Sequence, residues 1–210
     1  MRCISLLKLL WVDDRSLDQK IFSLISSAAK SKEIELVVAG EDGPGGPAER
    51  GFQTIKNFRS ALDACTDHES SFAGFIIDIQ IPSISLKDFD ERFAQIPTNR
   101  GRDAGFQLAK FVLNNSGNGG SLESIYKYKY SEIPVLFLSV SPCTSSSGGD
   151  SSNNNSFTHW MGDKYADLSL LNSPIDLVKN QYCHFLKRTL RNQEYLFTSW
   201  LDAVVDKKRA

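Results

Sequence analysis

The sequence lacks the residue patterns of metal-thiolate, disulfide-rich and nucleotide-binding proteins. Its four cysteines, at positions 3, 65, 143 and 183, form no CxxC pair and no Cys/His cluster with metal spacing. We therefore interpret them as reduced thiols of a cytoplasmic protein, with Cys3 and Cys65 in the core. No apolar run is followed by the glycine spacing of a P-loop or a dinucleotide-binding loop, which argues against both nucleotide sites.

A dominant charge and a long apolar run are lacking as well. The formal net charge is -1, which argues against a nucleic-acid partner. The apolar opening, residues 1–12, is too short to cross a bilayer. Asp13 and Asp14 follow it directly, without the small-residue cleavage site of a signal peptide. We expect no membrane partner and interpret this opening as a buried strand.

Apolar runs alternate with segments of helical spacing along most of the chain. The predicted strands are 4–12, 34–39, 73–79, 134–140 and, more weakly, 166–171. The predicted helices are 17–29, 58–65, 105–113 and a long one over 175–205. Segments 41–51, 114–121 and 143–156 are rich in Gly, Pro, Ser or Asn and are interpreted as loops. The alternation predicts an α/β fold with three layers, a doubly wound parallel sheet of five strands.

Acidic residues stand where two of the predicted strands end. Asp13 and Asp14 follow the first strand, and Asp78 ends the strand over 73–79. Single aspartates at such positions often only cap helices. Three carboxylates at one sheet edge repel one another, however, and persist when a cation offsets their charge. Oxygen ligands of this kind suit Mg2+. Ser139 ends the fourth apolar strand and is expected at the same edge.

Five short motifs, in this order along the chain, resemble response-regulator receiver domains. LLWVDD resembles their first strand and acidic pair, and FIIDIQIP their phosphoacceptor strand. Gly105-Phe106-Gln107-Leu108 resembles the start of their third helix, and IPVLFLSV and ADLSLLNSP resemble their fourth and fifth strands. The resemblance implies the flavodoxin-like receiver fold.

The resemblance also implies a role in two-component signalling or a phosphorelay. Asp78 would accept a phosphoryl group from a histidine kinase or a phosphotransfer protein. Asp13, Asp14 and Asp78 would bind Mg2+, and Ser139 would be the switch hydroxyl. Such a domain is not an enzyme beyond weak self-dephosphorylation, and it relays its state through contacts with an output protein or a second copy.

The sequence also departs from the family pattern. Ser173, immediately before Pro174, stands where the family has a lysine that pairs with the phosphoacceptor, and Leu170 stands where it has a switch aromatic. We predict a receiver domain over 1–192 with insertions near 80–103 and 141–157, both at the edge of the site. The segment 193–210 is predicted to be a helical extension, whose exposed apolar face would bind a partner.

Two other functions remain open from the sequence. Without the lysine, the chain could be an atypical receiver that binds partners independently of phosphorylation. A phosphatase-like hydrolase that uses Asp78 is the third possibility. Such enzymes usually need a second acid two residues later, where this chain has Gln80.

Overall fold

The computed structural model describes residues 6–14, 19–40, 46–65, 72–82, 85–96, 98, 101–113, 130, 132–140, 164–168, 175–177 and 179–210. Within these residues six strands form one parallel sheet, in the order β2-β1-β3-β4-β6-β5. They are β1 (Leu7–Val12), β2 (Ile34–Ala39), β3 (Gly74–Asp78), β4 (Val135–Ser139), β5 (Tyr165–Asp167) and β6 (Tyr182–Leu186). The predicted α/β class is confirmed, but the sheet has six strands rather than five.

The described helices are α1 (Gln19–Ser31), α2 (Pro47–Ala64), α3 (Ala104–Leu108), α4 (Lys187–Leu190) and α5 (Glu194–Arg209). The chain continues from α3 into a π-helical turn, Ala109–Leu113. Two 3-10 turns, Leu86–Asp88 and Glu91–Phe93, lie between β3 and α3. Among the described helices, none combines the length and the apolar character that crossing a membrane requires.

Helices cover both faces of the sheet, which gives the three layers that the alternation predicted. On one face, α2 and α3 contribute Phe58 and Phe106 to a core that includes Phe75 of β3. On the other face, α1 and α5 contribute Ile25 and Trp200 to a second core. The central strands are therefore buried on both sides, which explains their nearly continuous apolar sequences.

Helix α2 starts earlier than predicted, inside the segment interpreted as a loop. Pro47 stands in its first turn, where a missing backbone N–H costs no helical hydrogen bond. The carboxylate of Glu49 accepts a hydrogen bond from the backbone N–H of Gly46 at 3.0 Å, which satisfies one donor at the helix start. The Gly/Pro-rich composition of 41–51 thus includes a helix start.

The single long helix predicted over 175–205 is wrong. This segment contains β6, the short helix α4 and most of α5. Tyr182 of β6 packs in the core on the α2 side and Cys183 in the core on the α5 side, which is the alternation of a strand. The fifth strand predicted over 166–171 is β5, at the edge of the sheet and ending at Asp167. Residues 169–174 lie outside the described part.

Helix α5 is part of the core, and its apolar face is not exposed as we had expected. Its buried residues are Leu196, Phe197, Trp200, Leu201, Val204 and Val205. They belong to the same core cluster as Leu9 and Trp11 of β1. Lys32 forms an ion pair with Asp202 at 2.5 Å, and Lys207 donates to the carbonyl of Glu132 at 2.8 Å. The apolar face of α5, which we had expected to bind a partner, is therefore packed against the sheet of the same chain.

The insertion near 80–103 extends the core beside α2. Leu86, Phe89 and Phe93 are buried, and the ring of Phe89 packs against that of Phe58 in a tilted arrangement, with ring centroids 5.7 Å apart. Arg59 of α2 donates a hydrogen bond to the carbonyl of Phe89 at 2.5 Å. The 3-10 turns of this insertion are thus anchored to α2. The second insertion, 141–157, lies outside the described residues.

Candidate functional site

The strand order brings the predicted acidic residues to one place. After β1 the chain crosses to β2 on one side, and after β3 it crosses to β4 on the other side. A reversal of this kind leaves a crevice at the carboxyl ends of the two strands between which the order reverses, here β1 and β3. Asp13 and Asp14 follow β1, and Asp78 is the last residue of β3. All three therefore lie at this crevice.

The three aspartates form a buried cluster that could hold a metal ion. Carboxylate oxygens from Asp13, Asp14 and Asp78 lie within 4.8 Å of one another, and the residues are 1%, 2% and 3% exposed. Opposite ligands of one ion are separated by about 4.2 Å around Mg2+ and by about 5 Å around Ca2+. The observed spacing and the all-oxygen donor set fit a divalent cation without distinguishing these two.

Lys187 supplies a positive charge to this cluster. It is the first residue of α4, directly after β6, and its side chain is only 12% exposed. Its Nζ lies 2.8 Å from an oxygen of Asp13 and 2.8 Å from an oxygen of Asp78. The ammonium thus bridges the ends of β1 and β3. Ser173, where we had noted the absence of a lysine, lies outside the described residues, and the ammonium at this edge comes from Lys187 instead.

Burial controls the charge of Asp78. It raises the pKa of this carboxyl to about 7, and the neighbouring charge of Asp13 raises it as well. The ammonium and hydrogen bond of Lys187 act in the opposite direction and offset only part of the increase. Burial also acts to lower the pKa of Lys187, but the charges of Asp78 and Asp13 outweigh it and raise this pKa. Lys187 is therefore charged at neutral pH, and the charge of Asp78 depends on its surroundings.

The backbone around Asp78 fixes the position of its carboxylate. The backbone N–H of Gln80 donates to Oδ1 of Asp78 at 3.2 Å. Near the start of α3, the N–H of Gly105 donates to the carbonyl of Ile79 at 3.1 Å. A Cβ atom at position 105 would overlap the backbone carbonyl oxygen of Asp78. Glycine at this position therefore allows α3 to approach the site closely.

Arg50 is a second cation near the cluster. It lies in the first turn of α2, and its Nε is 4.0 Å from an oxygen of Asp14. Its side chain is partly exposed. The three carboxylates thus have two cationic neighbours, the ammonium of Lys187 and the guanidinium of Arg50. If all five groups are charged, one negative charge remains, and a cation would offset it.

Ser139 lies at the carboxyl end of β4, next to β3, as predicted. Its hydroxyl is 2.8 Å from Nε2 of His184 on β6, and both residues are buried. Among the described residues, His184 and Lys187 are polar side chains at this edge that we did not anticipate. Ser173 and Leu170, which had been compared with the family's lysine and switch aromatic, lie outside the described residues.

One feature of the sequence could have indicated both His184 and Lys187. The run Tyr182-Cys183-His184-Phe185-Leu186 is rich in aromatic residues and ends directly before Lys187, which is typical of a buried strand followed by a polar site residue. We had included it in a helix.

Comparison of the chain with protein-family models, curated proteins and solved structures found no match to any of them.

Proposed function

We propose that this chain is a phosphoryl-accepting receiver domain, with Asp78 as the acceptor. The strand order supports the flavodoxin-like receiver fold, because β2-β1-β3-β4-β6 has the 2-1-3-4-5 arrangement of that class and β5 adds an edge strand. The contact that carries the proposal is the bridge from Lys187 to Asp13 and Asp78 at 2.8 Å. This bridge places an ammonium group beside Asp78, the expected acceptor. A lysine for this purpose was the residue that the sequence motifs had lacked.

Asp78 would act as the nucleophile. One of its oxygens attacks the phosphorus of a phosphohistidine on a histidine kinase or a phosphotransfer protein. A P–O bond forms while the P–N bond breaks, and the imidazole leaves with the electron pair. The ionised carboxylate is required for this attack, so the proton that burial favours on Asp78 must be absent. The cations around Asp78 help to keep it ionised.

Lys187 and the Asp13–Asp14 pair would have separate roles. The ammonium of Lys187 is close enough to Asp78 to donate to an oxygen of the transferred phosphoryl group. Asp13, Asp14 and Asp78 would hold Mg2+, which neutralises charge on the phosphoryl oxygens when bound. The backbone N–H of Gln80 orients Asp78 through Oδ1, so that its two oxygens have different partners.

A phosphoryl analogue tests the proposal without a known kinase. With Mg2+ present, beryllofluoride should bind the purified chain and be lost on Asp78→Asn, because the amide cannot bond to beryllium. Acetyl phosphate should add one phosphoryl group, measured by intact-protein mass spectrometry. Omission of Mg2+ should abolish both.

A matched control separates the site from general effects of charge. Asp206 is an exposed aspartate of α5, far along the chain from the cluster, and Asp206→Asn should leave labelling unchanged. Wild-type protein that stays folded but takes up neither probe would contradict the proposal. That result would favour the interaction module that works without phosphorylation.

A further inference from the structure

Ser139 and His184 form a polar pair beside the proposed phosphorylation site. The hydroxyl oxygen and Nε2 are 2.8 Å apart, and the residues are 2% and 1% exposed. They lie on neighbouring strands, since β4 pairs with β6 and Phe137 is opposite His184. Water has little access to either group, so the bond between them has few competitors.

The third strand of this region places a carboxylate next to His184. In the register of β5 with β6, Asp167 is opposite His184. Ala166 faces the core on the α5 side, so Asp167 faces the other side, as His184 and Ser139 do by the same alternation. Burial opposes the charged form of the ring and lowers the pKa of His184, and the charge of Asp167, which favours the charged form, offsets only part of this decrease. The ring is therefore neutral at neutral pH.

A neutral imidazole has one N–H and one acceptor nitrogen. Nε2 is the atom near Ser139, and the direction of the hydrogen bond between them depends on which nitrogen holds the ring proton. With the ring proton on Nδ1, Nε2 accepts the hydroxyl proton of Ser139. A hydroxyl has only one proton, so Ser139 cannot donate to a phosphoryl oxygen at the same time.

We propose that His184 carries its ring proton on Nδ1 and is a positioning residue that holds the Ser139 hydroxyl in the unphosphorylated state and releases it when a phosphoryl group is on Asp78. This inference rests on the proposed function. Phosphoryl binding must compete with the Ser139–His184 hydrogen bond, so His184 weakens binding of the phosphoryl group. Release of Ser139 would also affect β6, which carries His184. The buried Nε2 would then lack its hydrogen-bond partner, which favours a new position for the ring.

A double-mutant cycle with beryllofluoride and Mg2+ tests the competition. His184→Phe removes the acceptor while keeping an aromatic ring, and it should increase beryllofluoride affinity by roughly three- to tenfold, the value of one hydrogen bond. Ser139→Ala should decrease the affinity. In the Ser139→Ala background, His184→Phe should have no further effect, because the hydroxyl for which the ring competes is gone.

A measurement on the wild-type protein avoids dependence on the folding of variants. The ring nitrogen signals of His184, observed by 15N NMR, should change when beryllofluoride binds, because Nε2 loses its hydrogen bond. Unchanged ring signals despite beryllofluoride binding overturn this inference and leave the proposed function standing. An equal effect of His184→Phe with and without the Ser139 hydroxyl overturns it too. If wild-type protein with Mg2+ binds no beryllofluoride, the proposed function fails, and this inference with it.

Discussion

The carboxyl edge of the sheet buries polar groups in two different ways. At the ends of β1 and β3, opposite charges face each other: the carboxylates of Asp13 and Asp78 share the ammonium of Lys187. At β4 and β6, two neutral groups share a hydrogen bond between Ser139 and His184. The first arrangement depends on balanced charge, and the second depends on the imidazole ring staying neutral.

The two arrangements should respond to acid in opposite directions. In the folded chain the carboxyl of Asp78 has a pKa of about 7, whereas an unfolded aspartate has its ordinary pKa of 3.8. This contribution to stability therefore decreases as the pH rises through that window. His184 has a lowered pKa when folded, so the unfolded chain takes up this proton first on acidification. Its contribution decreases as the pH falls below about 6.5.

Removal of the shared ammonium should have the largest effect. Lys187→Met leaves two buried carboxylates without their cation, and we expect a loss of about 3–5 kcal/mol in the free energy of unfolding. Mg2+ should restore part of the loss, because it offsets the same charges. Urea denaturation with and without Mg2+ measures both effects. Lys30→Met, at an exposed position of α1, is the control and should change little. Equal urea midpoints for Lys187→Met and wild type without Mg2+ would show that the ammonium does not stabilise the fold.

We call the cluster of Asp13, Asp14, Asp78 and Lys187 the charged side and the Ser139–His184 pair the neutral side. The change in stability of the charged side with pH depends on Asp78. Asp78→Asn cannot ionise, so the variant should be more stable than wild type near pH 8 by roughly 2–4 kcal/mol without Mg2+. The difference should shrink as the pH falls through 7 and become small below 3.8, where Asp78 is protonated in the unfolded state as well. Thermal denaturation across this pH range is the measurement, and Asp206→Asn should follow the wild-type curve. Parallel curves for Asp78→Asn and wild type would contradict the raised pKa.

The neutral side should show a smaller effect of opposite sign. His184→Phe has no ring nitrogen to protonate, so its stability should fall less than that of wild type between pH 6.5 and 5, by about 1 kcal/mol. The comparison uses the change in the free energy of unfolding with pH, because the substitution also changes its absolute value at every pH. Ser139→Ala retains the imidazole and should keep a slope close to that of wild type. A wild-type slope in His184→Phe would assign the acid response to other groups.

The sequence predicted the charged side better than the neutral side, and the reason is local. In β1 and β3 a continuous apolar run ends directly in aspartates, so strand, strand end and site residue are read together. Asp13, Asp14 and Asp78 were therefore predicted correctly as neighbours. In β6, the residues Tyr182 and Phe185 also have the spacing of a helix face, and the segment was read with the helix that follows.

Lys187 was missed because its role depends on that strand assignment. Ser173-Pro174 resembled the family's Lys-Pro pair by position in the sequence, and a lysine one strand later had no motif to mark it. The fit of an ammonium between two strand ends is a long-range contact, between residues 78 and 187 for example. Local patterns cannot predict it. The burial of α5 was missed for the same reason, since its partners lie on β1.

Arg50 gives the smallest expected effect and tests whether the charged side is complete without a metal ion. Its guanidinium lies 4.0 Å from Asp14 and is partly exposed, so it offsets only part of the charge of this carboxylate. A divalent cation at Asp14 is repelled by this neighbour. Arg50→Gln should therefore increase Mg2+ affinity by about two- to fivefold in calorimetric titration.

Arg59→Gln is the matched control on the same helix, because Arg59 forms its ion pair with Asp63 instead. It should leave Mg2+ affinity unchanged. Weaker Mg2+ binding by Arg50→Gln would reverse the interpretation: Arg50 would then hold Asp14 in place as a ligand. The sign of this change decides whether Arg50 competes with the metal ion or orients one of its ligands. In the first case both cationic side chains, Lys187 and Arg50, offset the aspartates when no metal ion is bound, and the protein can fold before it binds Mg2+.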